Sequence, residues 1–348
     1  MEEGVMAPTN PQESTLCLRT LLTQCAALSE KACGVIRDVQ QRREAAGTFS
    51  KLEMKDLTDP KTYLTEADEC AQRIIIRGLR QHFGPSLVVV GEEEEEDESD
   101  EDVATGEHST DADTGAVTQA AVPDTCGACG GLLDAAAYHI PPELVSLVLR
   151  DVCVFIDPVD GTKEYVDGRL NAVQNLIGVA YRGRAVAGVV GLPFPDSETR
   201  HCFETLGVSK GSLPDEGSPL ILCGVTGSKS GVRAVGRRGV QYRLARRPSA
   251  VHSQSDSLVL AVSADLSRGS GAPALESTRE AVIRAAVSCG LKVEYLYAGA
   301  CGNKILKVLT GQADAVLLNL KTSKWDSCAT EALLRCGICA EGVGAGAS

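Results

Sequence analysis

Apolar residues recur every three to four positions near the start of the chain. Leu18, Leu21, Leu22, Cys25, Leu28, Ala32, Val35, Ile36 and Val39 line one face, which predicts a long helix. Polar residues dominate from Gln40 to about Leu64, and a second helical pattern begins near Thr65 with Ala67, Ala71, Ile74, Ile75 and Leu79. Residues 87–90 form a short apolar run closed by Gly91 and predict a buried strand. Another strand is expected at 152–156, and two apolar runs, 175–181 and 184–192, flank Arg182-Gly183 as a hairpin. In the last third, strands at 258–262, 291–297 and 313–318 alternate with helices at 276–288, 303–309 and 327–336. Such alternation predicts an α/β arrangement.

Two stretches lack this periodicity. Residues 93–135 are acidic at first and then rich in Ala, Thr, Asp and Gly, which predicts a solvated, disordered insertion. Residues 196–255 are loop-rich and carry a basic patch of Arg237, Arg238, Arg243, Arg246 and Arg247, either a solvated face or a funnel for anions.

The formal net charge is −13, with much of it in the run from Glu92 to Asp102. An acidic chain is poorly suited to the phosphates of nucleic acid, so no such partner is expected. An anionic substrate would need a local device, such as a metal ion, to overcome the repulsion. Aromatic residues make up only 4%, so the core must rest on Leu, Val, Ile, Ala and Cys. Residues 1–12 lack a basic segment followed by an apolar one, and the fourteen cysteines sit mostly inside regular apolar segments, as Cys153 does. They read as small buried hydrophobes in a reducing compartment, and a cytoplasmic location is expected. Cys126 and Cys129 form one C-x-x-C with no second pair at zinc spacing. No apolar stretch approaches the ~20 residues of a membrane span.

The strongest chemical signal is Asp157-Pro158-Val159-Asp160-Gly161-Thr162. A strand delivers Asp157 at its end, Pro158 interrupts the ladder because it has no N–H, and the turn brings Asp160 back beside Asp157. Two carboxylates this close repel unless a cation lies between them, and oxygen ligands suit Mg²⁺. The Val159 carbonyl offers a third oxygen, Gly161 permits close approach of a phosphate, and Thr162 offers a hydroxyl to orient water. The same six residues also suit a tight turn capped by Asp. Glu92 follows the strand at 87–90 and places a further carboxylate at a strand end; otherwise it only begins the acidic run. Asp326 suits the N-cap of the helix that follows, a position that also favours phosphate or metal. Thr65-Glu66-Ala67-Asp68 fits a capping box, with Asp68 in the reciprocal position.

Taken in order, T-x-A-D, G-E-E, D-P-V-D-G-T and W-D resemble the lithium-sensitive phosphatase superfamily that includes inositol monophosphatase. Asp157 to Tyr165, Gly299-Ala300-Cys301-Gly302-Asn303-Lys304 and Lys324 to Ala329 look like the 3′(2′),5′-bisphosphate nucleotidase branch, marked by Lys163-Glu164 after D-G-T. The resemblance implies a sugar-phosphatase fold of alternating α-β-α-β-α layers. It also implies two or three Mg²⁺ ions held by Glu92, Asp157, the Val159 carbonyl, Asp160 and Asp326, and inhibition by Li⁺ in place of Mg²⁺. Asp68 and Thr162 would orient and deprotonate the attacking water. Gly161, Thr162, Ser263, Gly302, Lys304 and Asp326 would contact substrate.

This chain departs from the family in three places. Asp265-Leu266-Ser267 stands where Ser-His-Ser is usual, Ala300 replaces a common glycine, and the chain stops at Ser348 where the family adds strands and a helix. The expected domains are therefore 1–195, α+β and metal-binding with the acidic insertion, and 196–348, an incomplete α/β part. The expected activity is hydrolysis of 3′-phosphoadenosine 5′-phosphate to AMP, on a small-molecule substrate with no membrane or protein partner. The alternatives are an inositol polyphosphate 1-phosphatase acting on inositol 1,4-bisphosphate and a truncated, inactive nucleotide-binding remnant.

Overall fold

The computed structural model describes residues 14–46, 53–54, 63–93, 138–205, 213, 218–235, 241–243, 256–263, 272–318 and 322–338. Most of the expected insertion, Cys126 and Cys129, four of the five patch arginines (all but Arg243), residues 265–267 and the last ten residues lie outside the described residues.

A short strand β1 (Thr15–Cys17) leads into helix α1 (Leu18–Ala46). The helix continues past Val39, where the apolar stripe ends, because Gln40 to Ala46 is a run of strong helix formers. A two-residue ladder, β2 (Glu53–Met54) with β3 (Tyr63–Leu64), precedes α2 (Glu66–Phe83). Thr65 caps α2 in a full capping box with Asp68, as the sequence pattern implies.

Among the described residues the main sheet has seven strands. In chain order they are β4 (Val88–Gly91), β6 (Val152–Asp160), β7 (Gln174–Tyr181), β8 (Arg184–Leu192), β9 (Leu220–Val225), β10 (Arg233–Val235) and β11 (Gln241–Arg243), with the small β5 (Ser146–Val148) pairing β1 outside it. Their spatial order is β11-β10-β9-β8-β7-β6-β4, with only the β4–β6 pair parallel. β6 runs beyond Asp157 instead of ending there. Pro158 is absorbed in a bulge, and pairing resumes at Asp160 opposite Gln174. The β7–β8 hairpin turns at Arg182 (φ 50°) and Gly183 (φ 73°), both left-handed, as a two-residue turn requires. The sheet also runs through the boundary expected at 195/196, since β9 pairs with β8, with α4 (Ser197–Thr205) between them in the chain. β9 was legible in principle as the unbroken apolar run Leu-Ile-Leu-Cys-Gly-Val; β10 and β11, at three residues each, were not.

Helices α1 and α2 cover one face, where Leu21, Cys25, Ile36 and Ile75 meet Val154, Ile156, Val179 and Val189. The other face receives α7 (Lys324–Ile338), whose Ala329, Leu333 and Cys336 pack with Leu176, Val190 and Leu222. Beyond lies a parallel sheet in the order β13-β12-β14, formed by β12 (Ser257–Val262), β13 (Lys292–Tyr297) and β14 (Ala315–Val316). Its crossovers, α5 (Ala272–Ser288) and α6 (Cys301–Leu309), step in opposite directions along the sheet. Right-handed connections therefore put them on opposite faces. The result is the expected α-β-α-β-α layering. Among the described residues no helix is long and apolar enough to cross a membrane, and the eleven described cysteines are free.

One row of the sheet fixes where α7 sits. Gly178, Gly188 and Gly224 are register partners on β7, β8 and β9. A methyl on Gly188 would lie 2.1 Å from the Ala329 carbonyl oxygen, and one on Gly178 would lie 2.7 Å from the Ala329 nitrogen. The helix backbone thus lies directly on the sheet, one turn beyond Asp326. Because the obstacle is backbone, Gly188→Ala cannot be relieved by rotating a side chain. The expected cost is about 3 kcal/mol, read as a lower urea midpoint. A midpoint within experimental error of wild type would contradict this packing.

Candidate active site

The candidate residues gather at the end of the main sheet where β4 and β6 finish and α2, α6 and α7 begin. Asp157 is 2% exposed and Asp160 is 5% exposed at the end of β6, and Asp326 is in the first turn of α7. One carboxylate oxygen from each lies within 4.8 Å of the others. Asp326 is not the N-cap that its sequence context suggests. The helix begins two residues earlier, at Lys324, and the Asp326 carboxylate instead accepts the Ser323 N–H from inside the first turn.

Asp160 is anchored by α6. Its Oδ1 accepts the Cys301 N–H at 2.9 Å and its Oδ2 accepts the Gly302 N–H at 2.7 Å, so the carboxylate caps a helix from across the fold. Gly302 therefore touches the acidic cluster through its amide. Glu92 leaves β4 with its N–H on the Ile156 carbonyl at 3.1 Å. Its charge acts on Asp157 and Asp326, though its carboxylate falls outside the tight group of three. Gln72 of α2 fixes this corner, accepting the Glu93 N–H at 3.0 Å and donating to the Glu93 carbonyl at 2.8 Å.

Asp68 has two roles. Its Oδ2 accepts the Thr65 N–H at 3.0 Å, while its Oδ1 lies 3.3 Å from the Thr162 hydroxyl. That hydroxyl is also 3.1 Å from the Val159 carbonyl, so its proton is shared between two acceptors. The capping box and the link to Thr162 hold together in one side chain. On the other side, Lys304 is buried in α6 and donates to the Ser263 hydroxyl at 2.6 Å, joining two residues 41 positions apart.

Burial pushes the carboxyls of the cluster above their usual range. For Asp157 burial is the largest cause, followed by the charges of Glu92, Asp160, Asp326 and Asp68. Asp160 is pushed up to about 7 by burial and Asp326, against the lowering effect of the Cys301 and Gly302 amides and Lys304. Asp326 is raised by burial and Glu92 despite the Ser323 N–H. Without a cation such a cluster can only hold protons. Among the described residues Asp157 Oδ1 is buried with no hydrogen-bond partner, an oxygen left over for a ligand. An all-oxygen donor set with excess negative charge fits a hard divalent cation such as Mg²⁺.

Several supporting residues escaped the sequence pattern. Asn175 donates to the Pro158 carbonyl at 3.0 Å and accepts the Ser29 hydroxyl of α1 at 2.8 Å, bracing the loop that carries both aspartates. Gln174 and Asn175 are both fully buried. Their signal was present as two amides opening an otherwise apolar strand. Gly161 is left-handed (φ 92°), and a methyl there would lie 2.9 Å from the Ala300 methyl. Ala300 itself is held at φ 59°, a conformation that L side chains rarely adopt. Ala300→Gly should therefore stabilise the protein by about 1 kcal/mol. A higher urea midpoint at unchanged m-value is the expected reading; a lower one would mean that the alanine is unstrained.

Carboxylates that need a cation, set beside a carboxylate–hydroxyl pair, are the equipment of a metal-assisted hydrolase. Residues 19–336 match the inositol monophosphatase family. The chain belongs to that family and is a phosphatase. It is 26% identical over 318 residues to 3′(2′),5′-bisphosphate nucleotidase 1 of Mus musculus, covering 91% of this chain and 80% of the relative. Inositol polyphosphate 1-phosphatase of Mus musculus is 26% identical over 347 residues, covering 90% and 81%. Among solved structures, the extragenic suppressor protein SuhB of Bartonella henselae shares the fold at a TM-score of 0.52 and 16% identity, covering 91% and 85%.

Proposed function

We propose that this protein is a Mg²⁺-dependent 3′(2′),5′-bisphosphate nucleotidase that converts 3′-phosphoadenosine 5′-phosphate to AMP and phosphate. The observation that carries the hydrolytic reading is the convergence of Asp157, Asp160 and Asp326 beside the Asp68–Thr162 pair. With Glu92 and the Val159 carbonyl, the three aspartates would hold two or three Mg²⁺ ions, which neutralise phosphoryl charge and acidify water. Thr162 orients the attacking water. As water gives a proton to Thr162 Oγ1, the threonine proton moves to Asp68 Oδ1, so the base is a carboxylate held in place by its own capping box. The water oxygen attacks phosphorus directly as the P–O ester bond breaks, and the departing ribose oxygen takes up a proton from solvent, with no phosphorylated enzyme. Lys304 and Ser263 bind the nucleotide on the far side, and the amide-lined start of α6 keeps Asp160 fixed throughout.

The preference for a nucleotide is supported by Lys163-Glu164 and by the similarity to the mouse nucleotidase. Glu164 packs on the turn before α6, since a methyl on Gly299 would lie 2.2 Å from its Oε1. The second reading, an inositol polyphosphate 1-phosphatase, is favoured by the equal identity to the mouse enzyme of that name. Phosphate release from 3′-phosphoadenosine 5′-phosphate and from inositol 1,4-bisphosphate, in Mg²⁺ with and without Li⁺, separates them. Lithium-inhibited release from the nucleotide is expected. Release from the inositol phosphate alone would favour the second reading, and release from neither would reject both.

A further inference from the structure

Gln174 is the first residue of β7 and sits directly opposite Asp160 across the bulge. It is 0% exposed, and neither its Nε2 nor its Oε1 has a hydrogen-bond partner among the described residues. A buried amide with both ends unmet is costly, on the order of 1–3 kcal/mol for each polar group. The apolar Leu176 lies close by, since a methyl on Gly302 would lie 3.1 Å from its Cδ2 and 2.4 Å from Gln174 Oε1, and a methionine has close to the shape of a glutamine without polar atoms to satisfy. A group this expensive calls for a partner in some other state of the protein.

The geometry says which partner is in reach. A methyl on Gly302 would lie 2.4 Å from Gln174 Oε1 and 2.7 Å from Asp160 Oδ2, so the amide and the carboxylate converge on one point beside the first turn of α6. A half-turn of the amide about its last torsion brings its NH₂ to that same point. Asp160 can accept it. Its two oxygens take one N–H each from Cys301 and Gly302, whereas a carboxylate has about four acceptor positions. Both oxygens are then turned toward α6. A carboxylate that also serves a cation must present a lone pair to it and needs another donor to hold its plane. An amide supplies that donor without adding charge to a cluster already crowded with it.

We propose that Gln174 is a positioning residue for the cation site, its side-chain NH₂ donating to the Asp160 carboxylate and holding it in register with Asp157 and Asp326 when Mg²⁺ binds. The inference rests on the reading of these aspartates as Mg²⁺ ligands. It predicts a split between stability and cation affinity that a merely structural amide would not produce. In Gln174→Met the metal-free protein keeps its melting temperature or gains a few degrees, because two unmet polar atoms are removed. Mg²⁺ binding, measured by calorimetry without substrate, weakens at least tenfold, and turnover recovers in part at high Mg²⁺.

Equal Mg²⁺ affinity in wild type and Gln174→Met overturns the inference alone. A wild-type protein that binds no Mg²⁺ overturns the metal reading and the inference with it. A second measurement does not depend on the variant folding. In wild-type protein carrying ¹⁵N in its glutamine side chains, one NH₂ pair should shift and become slower to exchange as Mg²⁺ is added. If no pair responds while Mg²⁺ binds, Gln174 does not hold Asp160.

Discussion

Asp157→Asn is expected to abolish turnover and at the same time to make the metal-free protein more stable. The two effects have one cause. Asp157 is the most enclosed carboxyl of the cluster, and its ionised form is opposed by burial and by four neighbouring acids. Changing it to a neutral amide relieves that repulsion and supplies an NH₂ that can donate to Asp160 or Asp326. A gain of about 1–3 kcal/mol in the metal-free state follows from relief of repulsion in a buried acidic cluster. The same change deletes the oxygen charge that a cation needs. Turnover should fall by roughly a thousandfold or more, which corresponds to about 4 kcal/mol of lost transition-state stabilisation. Thermal melting with EDTA and with Mg²⁺, alongside phosphate release, reads both effects. Wild-type turnover in this variant would remove Asp157 from the metal site.

A second large effect concerns pH. In the metal-free protein the cluster acids hold their protons to higher pH than in the unfolded chain, Asp160 to about 7. The folded state therefore binds more protons than the unfolded state between about pH 4 and somewhat above 7. The corresponding stability is fully present below the unfolded carboxyl pKa of about 4 and is lost as pH rises through the folded value. The loss belongs to the coupled carboxyls as a set, not to Asp160 alone, and each unit of displacement is worth about 1.4 kcal/mol. Asp167 and Asp196 are displaced the other way by their hydrogen-bonded neighbours, and both are already ionised throughout this window. Melting temperature in EDTA should thus fall from pH 5 to pH 8, and saturating Mg²⁺ should flatten the decline, because the cation takes the place of the protons. Calorimetric titrations should show proton release on Mg²⁺ binding. A metal-free stability that rises over the same range would mean that the three carboxylates are not held together.

The acidic residues were legible in the sequence because each sits at a local event: a strand end, a bulge, the first turn of a helix. The strand reading located Asp157, although the turn expected after it is a bulge within β6, and the capping box located Asp68 only as a helix cap. The hairpin at Arg182-Gly183 and the helices of the last third followed from periodicity alone. A three-residue strand shows no period, so β10 and β11 left no trace, and α1 outran its apolar stripe because helix propensity continued where burial stopped.

Only the tertiary structure decided which local events meet. Ser263 and Lys304 are joined across 41 positions, and Asp160 caps a helix that begins 141 residues later. The glycine row Gly178–Gly188–Gly224 has no meaning until three strands are in register, yet it sets the height of α7 and with it Asp326. The double use of Asp68, as cap and as partner of Thr162, is likewise invisible in a capping pattern. The sequence determined the kinds of residue available and the short-range geometry of each, because backbone dihedrals and burial period are local. Their assembly into one charged cluster depended on strand order and helix docking, which are set by long-range packing and leave no periodic mark on the chain.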